Sequence, residues 1–185
     1  MVNDVVKSLQ GDLDKGIEAF RRELAKVRTG RANLAILDGV RVDYYGTQTP
    51  LNQLATINVP EPRMLTVQPF DPGSMKAIEK SIMESDLGLT PSNDGKLIRL
   101  PMPQPNEERR KELVKVVRKL AEEGKVAVRN VRRDCMHHLQ ELVKNGDVGD
   151  DEERRAEDRV QKLTDEHVAK IEDLLKRKEA EIMEV

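Results

Sequence analysis

Five basic residues carry the strongest chemical signal in the chain. Arg118, Lys125, Arg129, Arg132 and Arg133 lie in a proline-free stretch. At roughly 100° per helical residue they fall between about 100° and 200° from Val131, while the apolar positions of the same stretch centre near ~20°. They are expected to face away from whatever the apolar stripe packs against. From Gly124 to Arg133 there are four basic residues and no acidic one. The ordinary reading of a charge run is a solvated helix face. Sign purity, arginine content and the acidic third helix set a phosphate-binding surface level with that reading, because a guanidinium is a planar fork that matches phosphate oxygens bidentately. Single-strand binders add aromatic stacking platforms. None is interleaved here, so the expected ligand is structured RNA met through its shape and phosphates.

Other chemistry is thinner. Cys135 and His138 stand three apart and would make a thiol–imidazole pair or half a metal site, but both fall on the expected seam, where a packed cysteine and a partly buried histidine are the simpler reading. Asp71-Pro72-Gly73-Ser74-Met75-Lys76 lacks the spacing of a nucleotide-binding loop, and Asn93-Asp94-Gly95-Lys96 reads as a turn before a strand. The acids of Asp147–Glu153 suit a helix start better than a calcium loop. Asp43, Tyr44 and Tyr45 are the polar groups a small enzyme would use, yet no base–nucleophile arrangement is readable. Neither an enzyme nor a cofactor is expected.

The elements that position the arginines follow from the punctuation. All nine prolines lie between Pro50 and Pro105, so the flanks are free to be helical and the middle cannot be one helix. Val2, Val5 or Val6, Leu9, Leu13, Gly16 or Ile17, Phe20, Leu24 and Val27 form the stripe of a first helix. A second begins after Asn106, carries Leu113, Val117, Leu120, Gly124, Ala127 or Val128, Val131, Cys135, His138 and Leu142, and stops at Asn145-Gly146. A third follows Gly149 with Ala156, Val160, Leu163, His167, Ile171, Leu174 and Ile182.

One seam per helix and a short turn at Asn145–Gly149 predict an elongated antiparallel three-helix bundle made of residues 1–29 and 106–185. Residues 30–105 must then loop out as a small inserted domain. Val40–Tyr44, Thr56–Val59, Met64–Gln68 and Leu97–Leu100 read as strands, and residues 73–84 as a helix with Met75, Ile78 and Ile82 inward. The fold class is α+β in two domains, a bundle with a β/α/β insertion. Two crossings join them, at Thr29-Gly30-Arg31 and at Pro101 to Pro105 with Pro103 between, which predicts a hinge stiffened on one side by proline. The second helical segment, residues 106–145, carries +4 and the third, residues 146–185, −6 within a net charge of −2. A basic helix beside an acidic one is hidden in a near-neutral total.

Composition excludes several classes. Four aromatics and 36% charged residues argue against one compact aromatic core, and a single cysteine allows no internal disulfide. No run approaches the ~18 apolar residues of a membrane span, and MVNDVVKSLQ lacks the order of a signal peptide. A cytoplasmic protein without membrane attachment is expected. A rod satisfied by its own three helices should be a monomer, whereas a coiled-coil adaptor, the alternative reading, would oligomerise through its stripes.

Six stretches taken together resemble the ribosome recycling factor family: Lys26–Asn33 (KVRTGRAN), Val42–Leu51 (VDYYGTQTPL), Ser85–Leu89 (SDLGL), Glu107–Lys111 (EERRK), Val126–Asp134 (VAVRNVRRD) and Val160–Asp165 (VQKLTD). They occur in the family's order from end to end. The resemblance implies an L-shaped, tRNA-like molecule that binds the 70S ribosome after termination and, with elongation factor G and GTP, helps split the subunits so that mRNA and deacylated tRNA leave. By position it assigns Arg129, Arg132 and Arg133 to large-subunit ribosomal RNA and makes Arg28 and Arg31, at the bundle–domain junction, RNA-facing candidates. It places the engagement with elongation factor G on the inserted domain and hinge. Leu34, where a proline is common, and Pro103-Gln104-Pro105-Asn106 depart from the family's pattern.

Overall fold

The computed structural model describes residues 1–184. The chain divides into two compact units, one formed by residues 1–29 with the chain from Glu107 onward, the other by Gly30–Asn106. Asn106 thus falls with the insertion.

The first unit is built from α1 (Val2–Lys26), α3 (Glu107–Lys144) and α4 (Asp150–Met183). Val2, Val6, Leu9, Leu13, Ile17, Phe20 and Leu24 of α1 are all buried, an unbroken stripe at steps of three and four. They share a core with Leu113, Val117, Ala121, Val128, Cys135 and Leu139 of α3 and Ala156, Val160, Ile171 and Ile182 of α4. Cross-helix pairs fix the directions. Arg118 meets Glu179 and Lys125 meets Glu172, so α3 and α4 run antiparallel. Asn3 meets Arg159 and Asp14 meets His167, so α1 runs along α4.

The turn between α3 and α4 is a Schellman closure. Gly146 sits at φ 79°, its N–H donates to Val143 O at 2.9 Å, and the Asp147 N–H donates to Leu142 O at 2.9 Å. Val148 then buries against the core. Four acids, Asp150 to Glu153, face the positive end of the α4 dipole in place of a side-chain cap.

One seam assignment needs correction: His138 is exposed and Leu139 takes its place inside. Leu120 packs on the core half-buried and Gly124 faces Phe20 and Ile171, with Ala121 buried beside them. The buried residues of α3 therefore centre nearer ~50° than ~20° from Val131 at roughly 100° per residue. Among the buried polar groups, Thr164 donates to Val160 O at 2.7 Å. His167, 2% exposed, lies 2.6 Å from Leu163 O through Nδ1 and 2.7 Å from Asp14 Oδ1 through Nε2. Each ring nitrogen thus has an oxygen within hydrogen-bond distance, which satisfies the buried imidazole on both sides.

In the second unit a two-stranded ribbon, β1 (Arg41–Tyr44) with β2 (Thr47–Pro50), stands beside an antiparallel sheet of β3 (Ala55–Glu61), β4 (Met64–Pro69), β6 (Ile98–Pro101) and β5 (Ser92–Asn93), in the order β3-β4-β6-β5. Helix α2 (Met75–Glu84) buries Met75, Ile78 and Ile82 on a core with Val42, Leu65, Val67, Ile98 and Leu100. β2 and β5 are not foreseen from sequence: one is polar and ends in proline, and the other is two residues long.

The β1–β2 turn is a two-residue connection with Tyr45 at φ 50° and Gly46 at φ 84°. That is the twist-matched hairpin geometry, which favours Asn, Asp or Gly at both places. The two ends of the insertion meet within it. Gly30 has φ 84°, and a Cβ there would lie 2.7 Å from Pro105 Cδ and 3.2 Å from Pro103 O, so only glycine permits this approach without displacement.

Candidate nucleic-acid interface

The five basic residues of α3 do not form one free face. Arg118 Nε lies 2.7 Å from Glu179 Oε1. Lys125, with 16% of its side chain exposed, reaches Glu172 at 3.3 Å and Glu122 at 3.5 Å. These two were expected to point away from the bundle unneutralised. They turn instead to carboxylates, those of α4 among them, because the antiparallel register sets Glu179 and Glu172 beside them and α4 holds the excess of acid.

The other three are differently placed. Arg129 and Arg133 are exposed. Arg129 makes no ion pair among the described residues, and Arg133 Nη2 donates to Asn130 Oδ1 at 3.0 Å, a neutral partner that orients the guanidinium without discharging it. Arg132 is half-buried, with a buried Nε that has no acceptor among the described residues. A side chain already half-buried has less rotamer freedom to lose on meeting an oxyanion. Arg110, not singled out from sequence, shares that buried, unpartnered Nε on the same helix. The signal that would have found it is its place one turn into α3 at the edge of the seam.

Arg28 is exposed just beyond the C-terminal end of α1. Because Phe20 packs beside Gly124 and the Asp4–Asp12 turns lie beside Val131–His138, Arg28 lies towards the N-terminal end of α3 and is not brought to the Arg129–Arg133 run. Arg31 is exposed on the second unit. Thr29 is buried and its Oγ1 donates to Glu181 Oε1 at 2.9 Å, with Lys178 3.5 Å from the same carboxylate. Thr29 thus belongs mechanically with the bundle.

Cys135 and His138 line a cavity of about 380 Å³ between α1 and α3 with Asp4, Asp12 and Asp134. The thiol is buried, and burial raises its pKa. A packed, protonated thiol is a poor nucleophile. Among the described residues no group of three His, Cys, Asp or Glu side chains is placed to hold a metal, and no helix is long and apolar enough to cross a membrane.

Comparison with known proteins bears on what this arginine run serves. The family model for ribosome recycling factor matches residues 20–183. The chain belongs to the ribosome recycling factor family. Curated members of the family are similar over their whole length: the ribosome-recycling factors of Bacillus pumilus, 58% identical, and Geobacillus kaustophilus, 55% identical, each over 185 residues covering all of both chains. A solution structure of a ribosome recycling factor matches with a TM-score of 0.75 at 41% identity, covering 100% of this chain and 98% of that one. A second structure places the T. thermophilus ribosome recycling factor with the E. coli elongation factor G on the E. coli post-termination complex; its matching chain has a TM-score of 0.65 and 46% identity, with full coverage of both. The two-unit α+β architecture, helical bundle plus β/α/β insertion, is therefore that of the family.

Proposed function

We propose that this protein recycles ribosomes: it binds the post-termination 70S ribosome through large-subunit RNA and, with elongation factor G and GTP, drives the subunits apart so that mRNA and deacylated tRNA are released. It acts as a ligand moved by a GTPase and not as an enzyme, and it works in the cytoplasm, where its ribosomes are. The observation that carries this reading is the Arg129–Arg132–Arg133 run, which finds no carboxylate partner among the described residues while Arg118 and Lys125 of the same helix are paired across the bundle.

A 38-residue helix at 1.5 Å per residue makes a strut of about 57 Å, packed along its length on two others. Such a strut transmits displacement instead of bending. Arg129, Arg132 and Arg133 hold it to RNA phosphates, with Arg28 and Arg31 as secondary contacts; Arg118 and Lys125 serve the bundle first. Motion of the inserted domain begins at Gly30 and Arg31 on one crossing and at Pro103 and Pro105 on the other; Thr29 is tied to α4, and Pro101, expected to belong to the hinge, is the last residue of β6 and is held by the sheet. The adaptor reading is disfavoured because the apolar stripes of α1, α3 and α4 are spent on one another.

Arg132→Ala should weaken ribosome binding by about 1–3 kcal/mol with the melting temperature unchanged. Light scattering of post-termination ribosomes should fall only when this protein, elongation factor G and GTP are all present. A fall without this protein, or none with all three, would reject the function.

A further inference from the structure

The single thiol of the chain and three acids meet at a cavity that the function above leaves unused. It measures about 380 Å³ and lies between α1 and α3. Its floor is apolar: Leu9 is 2% exposed, and Val5 and Val131 are half-buried beside it. Asp4 and Asp12 stand on the α1 side and Asp134 on the α3 side. Cys135, 7% exposed, lines the same space, and its thiol has no hydrogen-bond partner among the described residues. A cavity of that size suits a small molecule, and a buried polar atom without a partner asks for one.

The spacing of the charges selects the ligand. Asp4 and Asp12 are eight residues apart on one helix, about 12 Å along its axis at 1.5 Å per residue. One metal ion cannot touch carboxylates so far apart, and among the described residues no three His, Cys, Asp or Glu side chains converge to hold one. Between the two acids the wall is Val5, Ser8 and Leu9. Carboxylate, apolar wall, carboxylate is the complement of ammonium, methylene chain, ammonium. Asp134 adds a third carboxylate from the second helix, and the imidazole of His138, exposed at the same rim, offers an acceptor nitrogen when neutral. The acids are available to a ligand. Asp134 makes no ion pair among the described residues. The partners of Asp4 and Asp12 are the N-terminal ammonium at 3.2 Å and Lys15 at 3.5 Å, exposed pairs of the kind that contribute little.

We infer that this cavity binds a linear aliphatic polyamine of the spermidine class, with its methylene chain on Val5, Leu9 and Val131 and its ammonium groups on Asp4, Asp12 and Asp134. The site bears on RNA as well. Asp134 directly follows Arg133, so these acids set negative charge beside the phosphates that the arginine run meets. A bound polyamine cancels that repulsion and extends the positive surface past Arg133. This consequence rests on the function proposed above; the binding site does not.

Calorimetric titration of the free protein with spermidine at about 0.15 M salt should show one site, with putrescine weaker and Mg²⁺ weaker still. Asp12→Asn and Asp134→Asn should each weaken spermidine about three- to fivefold at an unchanged melting temperature. Asp158→Asn, which alters an exposed acid of α4 outside the cavity, should leave the affinity as it is. Cys135 gives a second readout because the chain has no other thiol: saturating spermidine should slow its alkylation in the parent and not in the D12N/D134N double variant. Parental affinity in the double variant, or Mg²⁺ displacing spermidine charge for charge, would reduce the site to diffuse acidic surface and overturn the inference. So would spermidine binding that leaves the alkylation rate unchanged. Ribosomes take no part in these measurements, so their failure leaves the recycling function standing, and failure of that function in the R132A test leaves the site standing.

Discussion

Two stretches of α3 have the same residue types and opposite circumstances. Around Arg118 and Lys125 the cations meet Glu179 and Glu172 across the bundle; around Arg129, Arg132 and Arg133 the described residues supply only Asn130 as a partner. What separates them is the register of α4, which sets Glu179 and Glu172 beside the first stretch, not composition. A basic residue is available to a ligand only where the neighbouring helix has no acid to offer, so counting arginines overstates a binding face and mapping their partners delimits it.

The bluntest way to break the comparison is to cut the helix between its two stretches. Val128 is buried in the seam, and Val128→Pro removes a helical hydrogen bond at a cost of about 3 kcal/mol or more. Helical circular dichroism should drop and splitting should vanish; retained splitting would argue against a rigid strut. Next in size is Arg129→Ala with Arg132→Ala and Arg133→Ala. Losing charged hydrogen bonds of about 1.5–3 kcal/mol each should weaken ribosome binding at least about 100-fold, with an unchanged melting temperature.

Arg118→Ala with Lys125→Ala should do the reverse. Exposed or flanking ion pairs are worth about 0–1 kcal/mol, so a small loss of thermal stability and ribosome binding within about threefold of the parent are expected. A large binding loss would show that both stretches engage RNA. The smallest effect lies in the inserted domain, where Asp94 is another charge already spoken for. Its Oδ1 accepts the N–H groups of Lys96 and Leu97, and these, before Arg99, lower its pKa. A depressed folded pKa stabilises above the ordinary carboxylate value near ~3.9 and is lost as pH falls through the lower folded value. The gap between the parent and Asp94→Asn in thermal melts should be constant near neutrality and close only in acid.

Much of this was legible in the chain. The seam of α1 is read closely, the structure choosing Val6 and Ile17 where the sequence left Val5 or Val6 and Gly16 or Ile17 open, and leaving Val27 half-buried at the end. On α3 the stripe is broad, with Leu120 beside Ala121 and His138 beside Leu139, and periodicity cannot choose between neighbours whose volumes and partners lie on other helices. The fates of Arg118 and Lys125 were hidden because they depend on which α4 residues stand opposite. β2 was illegible because Thr47-Gln48-Thr49-Pro50 has no apolar alternation, and its pairing is imposed by the turn at Tyr45-Gly46. Asp14 as the partner of His167 was missed as well, though a histidine on an apolar stripe demands an acceptor.

The central claim is best tested by the salt dependence of ribosome binding for the parent, the Arg129/Arg132/Arg133 triple alanine variant and the Arg118/Lys125 double. Removing a cation that neutralises one phosphate should flatten the plot of log K against log salt by about 0.7–0.9. The triple is predicted to lose about two or more in slope while the double keeps the parental line. Equal flattening of both, or none in the triple, would contradict it.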